Sequence, residues 1–138
     1  MNQAATLAHL DEKPCVTRDL PIHGALRKTA RLGSLAVYGS DATKIQRLME
    51  TDRSLAAPLH PALPYCGAEV LWAVREEMAR TVEDVLARRT RALFLNARAA
   101  IEMAPRVAEL MARELKCDSA WQKRELARFR DVARGYCV

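Results

Sequence analysis

Residues 68–95 read AEVLWAVREEMARTVEDVLARRTRALFL, and the reading of this stretch decides the fold. At 100° per residue, Ala68, Val70, Leu71, Trp72, Val74 and Met78 spread around most of a helix, which predicts a largely buried helix from Ala68 to Met78. Thr81, followed by Val82, Glu83 and Asp84, has the S/T-x-x-D/E form of a capping box. A second helix is therefore expected from Thr81 to about Leu95, with one continuous helix through Thr81 as the alternative.

Toward the C-terminus, Ala100, Ile101, Ala104, Val107, Ala108, Met111 and Leu115 fall on one stripe. Arg98, Glu102, Arg106, Glu109 and Arg113 fall opposite, so residues 97–116 form an amphipathic helix. Pro105 lies on its polar side and is expected to kink it or to start its second half. Asp118 is placed to cap a last helix with Trp121, Leu126, Phe129, Val132, Ala133 and Tyr136 on one face and Gly135 near its end.

Toward the N-terminus, SLAAPLHPALPYCG holds three prolines and a glycine and reads as a turn-rich connection. Ahead of it Ser40 and Asp41 can cap a short helix to about Thr51, with Ile45, Leu48 and Met49 on one side. Residues 1–40 show no sustained period, and Pro14, Pro21 and Gly24 interrupt any regular element; a short strand at Leu35–Tyr38 is weakly signalled. The fold class is all-α, a small irregular bundle of about five helices preceded by an extended N-terminal arm. The arm is assigned to residues 1–39 and the helical domain to residues 40–138.

Half of the 138 residues are hydrophobic but aromatic residues make up only 5%, which asks for a core of Ala, Leu, Val and Met and favours helices. Lysine and arginine number 22 against 17 acids. Because the acids are mixed among the bases, the pattern lacks the one-sided cationic face of a nucleic-acid binder. Cys15, Cys66, Cys117 and Cys137 are far apart and form no C-x-x-C pair, which predicts reduced thiols in a soluble, cytoplasmic protein. The N-terminus has neither the basic nor the apolar region of a signal peptide, and no apolar run approaches the ~20 residues of a membrane span.

Motifs for chemistry are missing from the sequence. No G-x-G-x-x-G or G-x-x-x-x-G-K can cradle a phosphate, no G-x-S-x-G presents a nucleophile, and the three histidines have no metal-binding spacing. His23 and His60 are expected to hydrogen-bond to backbone as loop residues. No catalytic, cofactor-binding or metal residue is assigned. What stands out is charge on faces that otherwise read as core: Arg75 shares a stripe with Leu71 and Ala79, and Arg89 lies between Val85 and Leu93. Buried charges need partners, so Glu69 and Glu77 are the candidate carboxylates and Asp84 and Arg88 an i,i+4 pair. The six are expected to form an ion-pair network that fixes how two helices dock, with direct contact to a ligand or another domain as the alternative and Arg89 at least partly buried against a carboxylate.

The 68–95 stretch resembles the signature of the C-terminal domain of FAD-dependent glycerol-3-phosphate dehydrogenases and the related glycerophosphate oxidases. CVTRDLPIHG (residues 15–24) is similar to the strip leading out of the flavin domain in that family. LHPALPYCGAEV (residues 59–70) is similar to the entry to the signature helix, and Trp121 and Tyr136 to the last helix. The resemblance implies a helical accessory domain, itself non-catalytic, without the flavin- and substrate-binding part. That part of the same polypeptide would be its partner, and a homodimer of the parent is compatible with it. The parent would use FAD to oxidise glycerol 3-phosphate to dihydroxyacetone phosphate, passing electrons to quinone or oxygen, while peripheral on the cytoplasmic face of the inner membrane. Glu69, Glu77, Asp84, Arg88, Arg89 and Arg91 match the domain signature, with an expected structural role. From another class, a free-standing helical interaction or regulatory domain without flavin chemistry is the competing expectation.

Overall fold

A computed structural model describes residues 2–11, 16–17, 19–26 and 32–137; Pro14 and Cys15 lie outside the described residues. Among them are six α-helices: α1 (Asn2–Leu7), α2 (Ala42–Thr51), α3 (Gly67–Glu76), α4 (Ala92–Leu95), α5 (Ala97–Leu115) and α6 (Ser119–Arg134). A 3₁₀ segment, Gly33–Asp41, precedes α2, and a π turn, Asp84–Arg89, precedes α4. The architecture is all-α apart from one small antiparallel hairpin, β1 (Pro58–His60) with β2 (Leu63–Cys66), in the connection where only turns were expected.

The core is built around α5, which packs against α3, α4 and α6. Its Ala100, Met103, Ala104, Val107, Ala108 and Met111 are buried, and opposite them lie Val70 and Val74 of α3 and Phe129 and Ala133 of α6. Alanines along α5 let neighbouring helices approach closely, which is how a chain with few aromatic residues still fills its interior. The expected stripe is therefore present, widened by Met103 and Leu110. Pro105 is exposed within one undivided helix: its ring sits on the solvent side, and the structure starts no new helix there.

Four local expectations are corrected. Leu35–Tyr38 is not a strand; it lies in the 3₁₀ segment, where Leu35 is buried in the core. The helix expected from Thr81 to Leu95 is not regular: residues 84–89 form a wider π turn, Arg91 adopts a left-handed conformation (φ 60°), and Asn96 then caps α5 by accepting from Ala99 N at 3.0 Å. Thr90 explains the break, because both its N–H and its hydroxyl donate to Val85 O at 2.9 Å, a five-residue span that widens the turn. Nor does the Asp41 side chain cap α2; it turns to His23 and Lys44 instead. On α6 the apolar face is narrower than read, since Val132 and Tyr136 are exposed, Tyr136 meeting Phe94 edge-on with ring centroids 5.5 Å apart.

Candidate functional site

Four of the six polar residues singled out in the sequence, Glu77, Asp84, Arg88 and Arg89, lie where α3 ends and the π turn begins. The chain leaves α3 through Met78 in the left-handed region (φ 55°), and Ala79 N–H returns to Ala73 O at 2.9 Å. A helix end leaves carbonyls without partners, and cationic side chains there both bond them and complement the helix dipole. Two arginines from beyond the break supply this. Arg80 Nη1 donates to Val74 O and Ala79 O, each at 3.0 Å, and Arg89 donates to Glu77 O through Nε at 3.0 Å and Nη2 at 2.6 Å.

Arg89 thus binds a carbonyl first and a carboxylate second, with Glu77 Oε2 at 3.7 Å from Nε and 32% of the Arg89 side chain in solvent. Burial raises the Glu77 carboxyl, while the Arg89 charge and a hydrogen bond from Trp72 oppose the rise. Neighbouring Arg88 faces the other way, pairing with Glu83 at 2.7 Å and Asp84 at 2.9 Å. Arg75 is exposed rather than on the core stripe. It reaches α5 by a two-point contact with Glu114, Nε to Oε1 at 2.6 Å and Nη2 to Oε2 at 2.7 Å, a planar fork matched to a carboxylate. The six residues do not form one network: they occupy separate contacts, and Glu114 and Arg80 are participants that the sequence reading missed.

Thr81 and Asp84 close the capping box reciprocally. Asp84 N–H donates to Thr81 Oγ1 at 3.1 Å, and Asp84 Oδ2 accepts from Thr81 N at 2.9 Å and Arg80 N at 3.0 Å. Burial alone would raise the Asp84 carboxyl, but these donors and Arg88 together hold it below the usual aspartate range. Asp84→Ala is therefore expected to destabilise the chain by about 1–2 kcal/mol in urea unfolding, since it strips two N–H groups of their acceptor. An unfolding midpoint equal to that of the unaltered chain would show that water replaces the carboxylate at no cost.

Glu69, by contrast, is a core residue. It is 2% exposed, reaches back from α3 to Cys66 N (2.8 Å to Oε2), and accepts from the Tyr38 hydroxyl (3.1 Å to Oε1). Burial raises its carboxyl and, with the Glu69 charge, holds the Tyr38 hydroxyl well above the ordinary tyrosine value. Cys66 is buried as well, its thiol pushed up to about 11 by burial, which makes it a poor nucleophile. Another buried acid, Glu125 of α6, accepts from Val82 N at 3.3 Å, with Arg128 at 3.4 Å from its other oxygen. Nothing local marks Glu125, since its backbone partner lies 43 positions away.

His23 and His60 bind carboxylates: His23 Nε2 lies 2.6 Å from Asp41 Oδ2, and His60 Nε2 lies 2.9 Å from Glu102 Oε2. His60 also accepts from backbone, Ala62 N to Nδ1 at 3.1 Å, which is the role expected of it. An open recess of about 400 Å³ lies beside His23, with Tyr38, Asp41, Trp72 and Glu77 in its wall. Its polar groups already bond one another, Lys44 to Asp41 at 2.8 Å and Trp72 to Glu77, so the wall is occupied with structure. Among the described residues no cluster of three or more His, Cys, Asp or Glu is placed to hold a metal ion, and no helix is long and apolar enough to cross a membrane.

These contacts define a small helical domain, in which charged side chains close helix ends and tie neighbouring elements together. The chain belongs to the family of the C-terminal domain of alpha-glycerophosphate oxidase, whose model matches residues 15–122. It is 36% identical over 139 residues to a probable mitochondrial glycerol-3-phosphate dehydrogenase of Caenorhabditis elegans, covering 86% of this chain and 19% of that protein. Against the mitochondrial glycerol-3-phosphate dehydrogenase of Bos taurus the identity is 37% over 66% of this chain and 13% of the relative. Against that of Mus musculus it is 43% over 72% and 14%. The chain thus spans less than a fifth of the length of each of these relatives. No solved structure matches it.

The relatives are named as mitochondrial, which overturns the cytoplasmic location expected from the cysteines. Scattered reduced thiols report a reducing compartment and do not say which one. Cys66, Cys117 and Cys137 are free in the structure.

Proposed function

We propose that the chain serves as the non-catalytic C-terminal domain of an FAD-dependent enzyme that oxidises glycerol 3-phosphate to dihydroxyacetone phosphate. The observation that carries this reading is the match to a C-terminal domain, made over less than a fifth of each relative's length. Hydride chemistry belongs to the flavin, and its binding to the remainder of the relatives' polypeptide. The partner is that flavin- and substrate-binding part of the same polypeptide. Exposed large side chains at Leu20, Ile22 and Leu26, and at Phe94 and Leu95, supply apolar surface for it to cover.

The test uses the purified 138-residue chain. It is expected to show no flavin absorbance band after gel filtration and no reduction of an artificial electron acceptor on addition of glycerol 3-phosphate. A flavin that stays bound, or dye reduction that depends on the substrate, overturns the reading.

A further inference from the structure

Residues 22–25 of the arm meet the segment that leads into α2. Residues 22–25 form a turn, with Ala25 N–H donating to Ile22 O at 2.9 Å and Gly24 at φ +82°. The Gly24 carbonyl accepts from Ser40 N–H at 3.0 Å, and this contact brings two glycine backbones together. Gly39 is buried, with φ 54° and ψ −126°, a conformation essentially confined to glycine. A Cβ on Gly39 would overlap the Gly24 carbonyl, so both its backbone angles and its missing side chain are required for the approach. On the other side of the same turn, His23 reaches Asp41 at 2.6 Å. His23 is 81% exposed while Asp41 is only 10% exposed and is also held by Lys44 at 2.8 Å, so the acid is a fixed part of the domain and the histidine comes to it.

We propose that residues 22–25 are a clasp: the helical domain grips the incoming chain at His23 and Gly24, and so fixes the direction from which the preceding part of the polypeptide reaches it. The inference rests on the reading of the chain as an accessory domain and adds how such a domain is oriented. A free linker would let the two parts turn independently. A chain pinned by one backbone hydrogen bond, one charge-assisted contact and a close glycine pair loses most of that freedom at little cost in residues, since each residue adds only ~3.5 Å of reach. Ile22 within the clasp is exposed, as are Leu26 and Val37, which line the recess with His23 and Gly24, so the grip also bears on where these apolar groups stand.

Amide hydrogen exchange at Ser40, followed by NMR in the 138-residue chain, reads the clasp directly, because that N–H has Gly24 O as its acceptor. Protection is expected in the unaltered chain. His23→Ala is expected to speed Ser40 exchange roughly three- to ten-fold while α5 amides keep their protection. Gly39→Ala is expected to abolish protection at Ser40. Lys44→Met, which removes the cation on the domain's own side, should leave it no faster. Should Gly39→Ala unfold the chain, the α5 amides report it, and His23→Ala on an exposed side chain still decides. A Ser40 amide that is unprotected from the start, or whose rate is unchanged in both His23→Ala and Asp41→Asn, overturns the clasp. Flavin retention would sink the accessory-domain reading and leave Ser40 protection untouched, so the two failures are told apart.

Discussion

Glu69→Ala is expected to lower stability by about 2–4 kcal/mol, because it leaves the Cys66 N–H and the Tyr38 hydroxyl without acceptors inside the protein and opens a small void. In a chain of this size the thermal midpoint should fall by roughly 8–15 °C, read by circular dichroism at 222 nm. Glu69→Gln should recover only part of the loss, since its amide offers one oxygen acceptor where two donors converge. The carboxyl also sets a pH dependence. Its folded pKa is raised above the ordinary 4.5, so the stability it confers is full below that value and is lost as pH rises through the folded pKa. Asp84 acts in the opposite sense: held low in the fold, it stabilises above its ordinary value of 3.8 and loses that contribution as pH falls. Equal midpoints for Glu69→Ala and the unaltered chain would mean that the two donors find water instead, and that the 3₁₀ segment is not tied to α3 through this residue.

Phe129→Ala is expected to cost about 3–5 kcal/mol. Phe129 is 1% exposed and is the bulkiest of the fully buried side chains, and it holds α6 in the interface with α5 that makes the most extensive helix pairing here. The core is dominated by alanine, whose methyl side chain cannot swing in to fill a void. Arg130→Ala, one residue on and exposed, should change stability by no more than about 0.5 kcal/mol and serves as the control. Chemical unfolding monitored at Trp121 on α6 would follow the change; a Phe129→Ala midpoint matching that of Arg130→Ala would show that α6 is not anchored through this ring.

An accessory domain must keep its shape so that whatever it covers keeps its own, and the polar residues of this chain serve that end. Arg80 and Arg89 close the end of α3, Asp84 closes the start of the next turn, and Arg75 ties α3 to α5 through Glu114. Of these contacts, the Arg80 contacts and the Thr81–Asp84 box span six residues or fewer. The Arg75–Glu114 contact spans 39 positions and the Glu125–Val82 contact 43, so no window of sequence joins their partners.

Features settled within one or two turns of helix could be read from neighbouring residues alone. Apolar spacing set the buried face of α5, Asn and Asp residues set where α5 and α6 begin, and the T-x-x-D pattern set the break after α3. Packing of distant elements settles the rest: that residues 84–89 widen into a π turn, that Arg88 and Arg89 face opposite tasks, that Glu69 is buried while Arg75 is not, and that His23 meets Asp41. The physical reason is the range of the forces involved. Helix caps and amphipathic faces depend on neighbours three or four positions apart, whereas the environment of a charge depends on which distant element excludes water from it and offers it a partner.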